Sequence, residues 1–352
     1  MPAIAVADAL RAEGAQVSFL GTRERAEAEL VPAAGYEIDF LRVSGLDRRN
    51  PAKAVRAAIQ AVGAVRTAQR VLAARGADAV LGGGGYVAGP AGLAAVRMGL
   101  PLVLTEADSR LGLANRLLAR RARRVCLAFP IPGRDGGPYL VTGRPVPRAV
   151  IEADRGAARE RFGLSAGEPC LAVVGGSLGA RTINDAAFAA FAERDAIGIG
   201  DSSGVEVRVI HVVGRRDFPE LERRWREAGS PAGYTLLDYE PDLGQVLAAS
   251  DLVLARAGGS VMEIAAAGRP AVLVPYPHAT GDHQAANARW MADGGAAIVI
   301  PDAELEPAHL VSVITDLLGD RERLDEMAAA SARLARPDAA ERIATEVLEA
   351  AR

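Results

Sequence analysis

The segment Leu252 to Asn287 constrains this chain most. An apolar run, Leu252-Val253-Leu254-Ala255, meets a glycine turn, Gly258-Gly259-Ser260, which opens a short helix ending at Gly268. A second apolar run, 271–275, leads into the polar stretch Gly281-Asp282-His283-Gln284. Strand, turn, helix, strand and loop in that order make one unit of a parallel sheet buried on both faces. Ligands of open α/β sheets bind at the carboxyl ends of strands, and polar groups collect at those ends here. Backbone N–H groups and a hydroxyl in the turn suit a phosphate, while Glu263 and Gln284 suit sugar hydroxyls. A plain strand–helix turn followed by a solvated loop accounts for the same spacing.

The same alternation runs along the whole chain. Helical periodicity opens it (Ile4, Val6, Ala7, Leu10), with Gly14 as a stop. Strands are expected at 17–20, 38–42, 79–81, 102–104 and 124–128, and helices over 51–75, 90–98 and 111–122. The Pro/Gly-rich stretch 130–147 reads as a linker. Beyond it come a helix at 155–162, a strand at 170–174, the turn Gly175–Gly179, and a helix at 181–194. A surface loop is expected at 194–204, flexible by composition. Strands at 207–213 and 235–237 flank a helix at 217–227, and helices over 306–317, 321–334 and 338–351 close the chain. A chain of 352 residues is long for one core. The pattern therefore predicts an α/β fold of two Rossmann-like, doubly wound domains facing each other across a cleft. The expected boundaries are 1–146 and 147–336, with a last helix, 337–352, returning to the first domain.

A doubly wound domain is expected to start with a central strand, whereas this chain starts with a helix. Leaving that strand out would open unpaired edges inside a buried parallel sheet. The expectation is a chain shortened by about one strand and one turn, with a start codon assigned too far downstream.

A net charge of −3 argues against bulk nucleic-acid binding. Arginine and lysine are nevertheless dense at Arg48, Arg49, Lys53, Arg56, Arg66 and Arg70, and again at Arg116, Arg120, Arg121, Arg123 and Arg124. By pattern alone these are solvated helix faces. Cys126 and Cys170 lie beside apolar runs without metal spacing and read as reduced, buried thiols of a cytoplasmic protein. No apolar run reaches the length of a membrane span, and the N-terminus lacks the pattern of a signal peptide. The four histidines are dispersed and make no zinc set.

Gly175–Gly179 lies between a buried strand and a helix start, so its N–H groups and the helix dipole suit a diphosphate. Ser177 adds a hydroxyl, and Arg181 falls in the first helical turn. A plain tight turn is the alternative. There is no G-x-G-x-x-G fingerprint with a following acid, no Walker sequence, and no Asp-x-Asp pair for a divalent metal. No cofactor and no metal is expected; helix N-termini and arginines would stabilise a leaving group. Gly82–Tyr86 is a second strand-end glycine turn. Glu106 and Asp108 follow the strand 102–104, where they suit acid/base work or cap the next helix.

Taken together, RAGGSVMEIAAAGRPAVLVPYPHATGDHQAANA (256–288), GGSLGARTIN (175–184), VLGGGGYVAGPAGLAA (80–95) and GTRERAEAELVPAAGYEIDFLRVSGL (21–46) resemble the MurG family of bacterial peptidoglycan transferases. The resemblance runs from Pro2 to the last helix. It implies the GT-B fold and transfer of N-acetylglucosamine from UDP-GlcNAc to undecaprenyl-diphosphoryl-N-acetylmuramoyl-pentapeptide, turning lipid I into lipid II with inversion. Carried over by position, Ser177 contacts the donor diphosphate and Glu263 the ribose. Gly258, Gly259, Ser260, Val261 and Met262 line uracil and phosphate, and His283 and Gln284 meet the sugar. The turn Gly84-Gly85-Tyr86 faces the acceptor's diphosphate. The resemblance also implies peripheral docking on the cytoplasmic face of the membrane through an apolar patch with basic surroundings. That reassigns the basic helices near 48–70 and 116–124 from solvated to membrane-facing.

The departures from the family are specific. Its opening strand and Gly-Gly-x-Gly-Gly-His loop have no counterpart, so the histidine usually proposed as base is absent. Where the family has His-Glu-Gln-Asn, this chain has Thr105-Glu106-Ala107-Asp108. Glu106 is then the remaining catalytic candidate, and Asp108 replaces an amide that meets the donor. The family's Gly-Asn-Pro-Val-Arg appears as Gly143-Arg144-Pro145-Val146-Pro147, leaving Arg144 or Arg148 to replace the arginine. Three other readings stay open: a related lipid glycosyltransferase, a UDP-GlcNAc epimerase of GT-B fold, and a non-catalytic nucleotide-sugar-binding remnant.

Overall fold

The fold comes from a computed structural model, which describes residues 2–43, 51–176, 179–193, 198–199 and 205–352; the side chains of 51–61, 198–199, 205 and 280 are not described. Ser177, most of the 194–204 segment, and the side chains of Arg48, Arg49, Lys53 and Arg56 lie outside what is described. The chain divides into two compact units, residues 1–146 with 336–352, and residues 147–335.

The first unit runs α1 (Pro2–Ala12), β1 (Ser18–Gly21), α2 (Glu27–Ala33), β2 (Glu37–Phe40), α3 (Pro51–Ala74), β3 (Val80–Gly82), α4 (Gly85–Met98), β4 (Leu102–Glu106), α5 (Leu113–Leu118), β5 (Arg124–Leu127) and β6 (Tyr139–Val141). Strand β1 pairs with β2, and β3-β4-β5-β6 form a second parallel sheet. Among the described residues no ladder joins the two sheets. Apolar periodicity decides which face of α1 is buried: Val6, Ala7 and Leu10 point inward. The stretch expected as a linker, 130–147, instead supplies the edge strand β6, three half-buried residues bracketed by turn-forming glycines.

The second unit runs α6 (Arg148–Ile151), α7 (Arg155–Arg161), β7 (Cys170–Val174), α8 (Arg181–Phe191), β8 (Gly198–Ile199), β9 (Val205–Glu206), β10 (Arg208–Val212), α9 (Phe218–Glu227), β11 (Tyr234–Leu237), α10 (Leu243–Ala249), β12 (Leu252–Ala255), α11 (Ser260–Ala266), β13 (Ala271–Leu273), α12 (His283–Asp293), β14 (Ala297–Val299), α13 (Pro307–Gly319) and α14 (Arg321–Leu334). A final helix, α15 (Ala339–Ala351), packs on α1 in the first unit. The second unit's sheet has the order β11-β10-β7-β12-β13-β14, every neighbour parallel. Strands β7 and β12 are buried at every position, as continuous apolar runs covered by helices on both faces must be. Part of 194–204, expected as loop, is strand: β8 pairs antiparallel with β9. The polar stretch at His283-Gln284, expected as loop, is the first turn of α12.

The strand order places the functional region. The chain leaves β7 toward β10 and β11, then returns to the other side of β7 through β12. The switch point therefore lies between β7 and β12, and a crevice outside their carboxyl ends is where such sheets bind ligands. The α/β class with parallel sheets in two Rossmann-like domains is the one expected from the sequence.

Candidate active site

In the second unit, the loop after β7 lies directly on the segment that follows β10. A Cβ on Gly175 would stand 2.6 Å from the Val213 carbonyl and 2.8 Å from Asn184 Oδ1. One on Gly179 would collide with the Asp217 carboxylate, and one on Gly214 (φ 91°) with the Gly179 amide. Glycine is required at these places by close backbone approach, which is also what a phosphate on N–H groups needs.

Beneath this contact runs a buried polar chain. The Tyr234 hydroxyl lies 2.6 Å from His211 Nδ1, and His211 Nε2 lies 3.0 Å from Asn184 Oδ1. The Asn184 amide donates to the Val213 carbonyl and to Asp217 Oδ2, both at 3.1 Å. Asn184 Nδ2 is a donor, so its Oδ1 accepts, and His211 must carry its proton on Nε2. The neutral Nδ1 then accepts from Tyr234. Burial drives the His211 pKa down to about 3 and the Tyr234 pKa well above the ordinary value. Protonated His211 would turn its acceptor into a donor and strand the Tyr234 proton. At the outer end, Asp217 accepts from Arg216 Nε at 2.8 Å, and Arg181 approaches it at 3.9 Å.

The 256–284 side is held as firmly. Arg256 donates to the Val274 carbonyl at 3.1 Å, pairs with Asp302, and reaches Thr182 Oγ1 at 3.3 Å. It thereby ties the first turn of α8 to the ends of β12 and β13. Fully buried Asn287 donates to the Ala257 carbonyl at 3.1 Å. Gln284 Oε1 accepts from the Tyr276 amide at 2.9 Å, with its Nε2 4.0 Å from a Cβ placed on Gly258. Gly281 and Asp282 both adopt positive φ, an uncommon state for Asp that turns the chain into α12.

The residues singled out by sequence therefore fall as follows. Gly258, Gly259, Ser260 and Gln284 come together at the ends of β12 and β13, and half-buried Glu263 lies in the first turn of α11. His283 opens α12. Val261 and Met262 lie in the same turn, with their side chains buried at 0% and 4% exposure. Asp108, Arg144, Glu106 and Gly84-Gly85-Tyr86 belong to the first unit. Gly84 and Gly85 take positive φ at the start of α4, and Tyr86 is 52% exposed with the Arg25 guanidinium 5.1 Å above its ring.

Glu106 has a different setting from the one its catalytic candidacy supposes. It is buried, and Oε2 accepts from the Gly112 amide at 2.7 Å and from Asn115 Nδ2 at 3.0 Å. Oε1 accepts from the Asp108 amide at 3.3 Å. Both oxygens are engaged in holding the turn that leads into α5. Cys126 and Cys170 are free and buried, and burial pushes each thiol up to about 12. Among the described residues no group of His, Cys, Asp and Glu has the makings of a metal site.

Sequence reading missed Asn184, His211, Asp217 and Tyr234. The available signal was His211 itself, an ionisable residue inside the otherwise apolar run of β10, where burial demands a partner.

Family descriptions for the glycosyltransferase family 28 N-terminal and C-terminal domains match residues 1–127 and 170–343. The chain is thus a two-domain glycosyltransferase of GT-B type. It is 41% identical over 360 residues to the UDP-N-acetylglucosamine--N-acetylmuramyl-(pentapeptide) pyrophosphoryl-undecaprenol N-acetylglucosamine transferase of Moorella thermoacetica, covering 99% of this chain and 95% of that one. The enzyme of the same name from Aeromonas hydrophila is 40% identical, with coverages of 98% and 92%. The crystal structure of Acinetobacter baumannii MurG superposes with a TM-score of 0.79 at 32% identity, covering 99% of this chain and 95% of that one. The chain belongs to the MurG family.

Two outcomes follow from the geometry. His211 is neutral when folded and titrates near 6.5 when unfolded, so its contribution is full above pH 6.5 and is lost as pH falls toward 3. Urea melts between pH 5 and 6.5 should lose up to about 1.4 kcal/mol per pH unit, and His211→Gln should flatten that slope; an unchanged slope contradicts the buried neutral imidazole. Glu106→Ala should destabilise by about 2–3 kcal/mol by leaving buried donors unsatisfied. Glu106→Gln should keep transfer within about tenfold, whereas a thousandfold loss at unchanged stability makes Glu106 the base.

Proposed function

We propose that this chain moves N-acetylglucosamine from UDP-GlcNAc to undecaprenyl-diphosphoryl-N-acetylmuramoyl-pentapeptide, converting lipid I to lipid II in peptidoglycan synthesis. The near-full-length identity to transferases named for this reaction carries the reading. Cell wall biogenesis, and through it cell shape and division, is the context this assigns.

The acceptor's 4-hydroxyl attacks the anomeric carbon, the bond from that carbon to UDP breaks, and UDP leaves with the electron pair. The hydroxyl proton passes to a general base or to water. Backbone N–H groups of the 175–179 loop and the 258–262 turn meet the charge developing on UDP. Removing one such preorganised donor costs about 3–4 kcal/mol of barrier. Ser177 is assigned to the diphosphate, Glu263 to the ribose, and His283 and Gln284 to the sugar. Gly84, Gly85 and Tyr86 are assigned to the acceptor's diphosphate, and Asp108 and Arg144 to the donor from the first unit. Glu106 holds the turn beside Asp108.

Attachment to the cytoplasmic face of the cell membrane, the inner membrane where there are two, is part of the same proposal. Leu113 and Leu117, one helical turn apart on α5, are 39% and 70% exposed, with exposed Arg116 and Arg120 beside them. Val62 on α3 and Leu93 on α4 are also exposed, and α4 packs against both α3 and α5. Exposed apolar side chains flanked by arginines suit an anionic lipid surface. Among the described residues no helix is long and apolar enough to cross a membrane.

Purified full-length chain given UDP-GlcNAc and a lipid I analogue should release UDP and form the disaccharide lipid. Isomerisation of the donor without acceptor points to an epimerase, and donor binding without turnover to a remnant; either result contradicts the proposal. Leu117→Glu should weaken sedimentation with anionic vesicles while leaving transfer to a short-chain soluble acceptor unchanged.

A further inference from the structure

The buried carboxylate of Asp217 has a task that packing alone does not explain. The residue is 5% exposed, and the asparagine behind it is fixed by His211 and Tyr234. A buried carboxylate needs a compensating charge. Here that charge is supplied from the solvent side. Arg216 meets Asp217 with a fork, Nε to Oδ1 at 2.8 Å and Nη2 to Oδ2 at 3.2 Å. Its Nη2 also lies 3.5 Å from the Gly179 carbonyl, which places the guanidinium on the rim of the 175–179 loop. Arg216 nevertheless keeps 58% of its side chain exposed. Arg181, the first residue of α8, is drawn toward the same carboxylate and is 76% exposed. Two guanidiniums on one carboxylate leave a net positive charge at the mouth of the loop.

We propose that Arg216 is a diphosphate-binding residue of the nucleotide site, held at the rim of the 175–179 loop by Asp217, which the buried chain Tyr234–His211–Asn184 fixes from below. This rests on the nucleotide-sugar reading above and adds a residue to it. The arrangement is preorganised: the fork to Asp217 holds the guanidinium plane, so less freedom is lost when a phosphate oxygen binds. An arginine present only to neutralise Asp217 would become dispensable for UDP once Asp217 is itself neutral; on the proposal, Arg216→Gln should still weaken UDP in an Asp217→Asn background.

The test is calorimetric titration of the full chain with UDP, UMP and uridine, for the unsubstituted protein, Arg216→Gln, Arg216→Lys and the distant surface variant Arg223→Gln. Arg216→Gln should weaken UDP about ten- to a hundredfold, the range of a charge-assisted hydrogen bond, and leave uridine unchanged. Arg216→Lys should recover part of the loss, and Arg223→Gln should bind UDP as the unsubstituted chain does. UDP affinity unchanged in Arg216→Gln, or UDP and uridine weakened equally, overturns the proposal while leaving the transferase reading intact. Failure of the unsubstituted chain to bind UDP overturns the nucleotide-sugar reading itself.

Discussion

The contact between two backbones, 175–179 and 213–217, governs the second unit. No side chain fits between them at Gly175, Gly179 or Gly214. The loop after the central strand is therefore fixed against the neighbouring strand's exit. Gly175, Gly176 and Gly179 are held by this contact, and dipoles fixed before a ligand arrives stabilise a leaving group most. The other side of the crevice follows the same logic. Arg256 and Asn287 bind carbonyls at 274 and 257 and hold the ends of β12 and β13 in place.

That contact rests on a polar chain placed in an apolar core. Each member is satisfied: tyrosine hydroxyl to imidazole, imidazole to amide, amide to carboxylate and carbonyl, carboxylate to guanidinium. A fully satisfied buried network rigidifies, whereas a broken one costs the desolvation of every orphaned group. Direction matters too. The chain works with neutral His211, so its geometry and its response to acid are one property. Glu106 shows the same economy in the first unit, where one buried carboxylate gathers Asp108, Gly112 and Asn115 into a single turn.

Much of this was legible in the sequence. Continuous apolar runs followed by glycines marked β7, β12 and the turns at their carboxyl ends, because a strand buried on both faces tolerates little else. The MurG resemblance rested on those same turns. The edge strand β6 was hidden because three half-buried residues between glycines carry no strand pattern. Helix α12 was hidden because its first turn, His283-Gln284, is polar and follows a left-handed Asp282 that no propensity predicts. Val261 and Met262 were read as lining the site, yet helical spacing sends their side chains into the core. Glu106 presents the same carboxylate whether it works as base or anchor, and only Gly112 and Asn115 distinguish them. The chain beneath the loop joins residues from three separate elements and the turn before α9, and its pairings exist only in three dimensions.

The central claim is that a nucleotide sugar settles at the carboxyl ends of β7 and β12. Hydrogen–deuterium exchange of the full chain, with and without UDP-GlcNAc, locates it directly. The account predicts slowed exchange concentrated in peptides covering 175–180 and 256–263. Protection confined to other segments, or none at saturating donor, would contradict it.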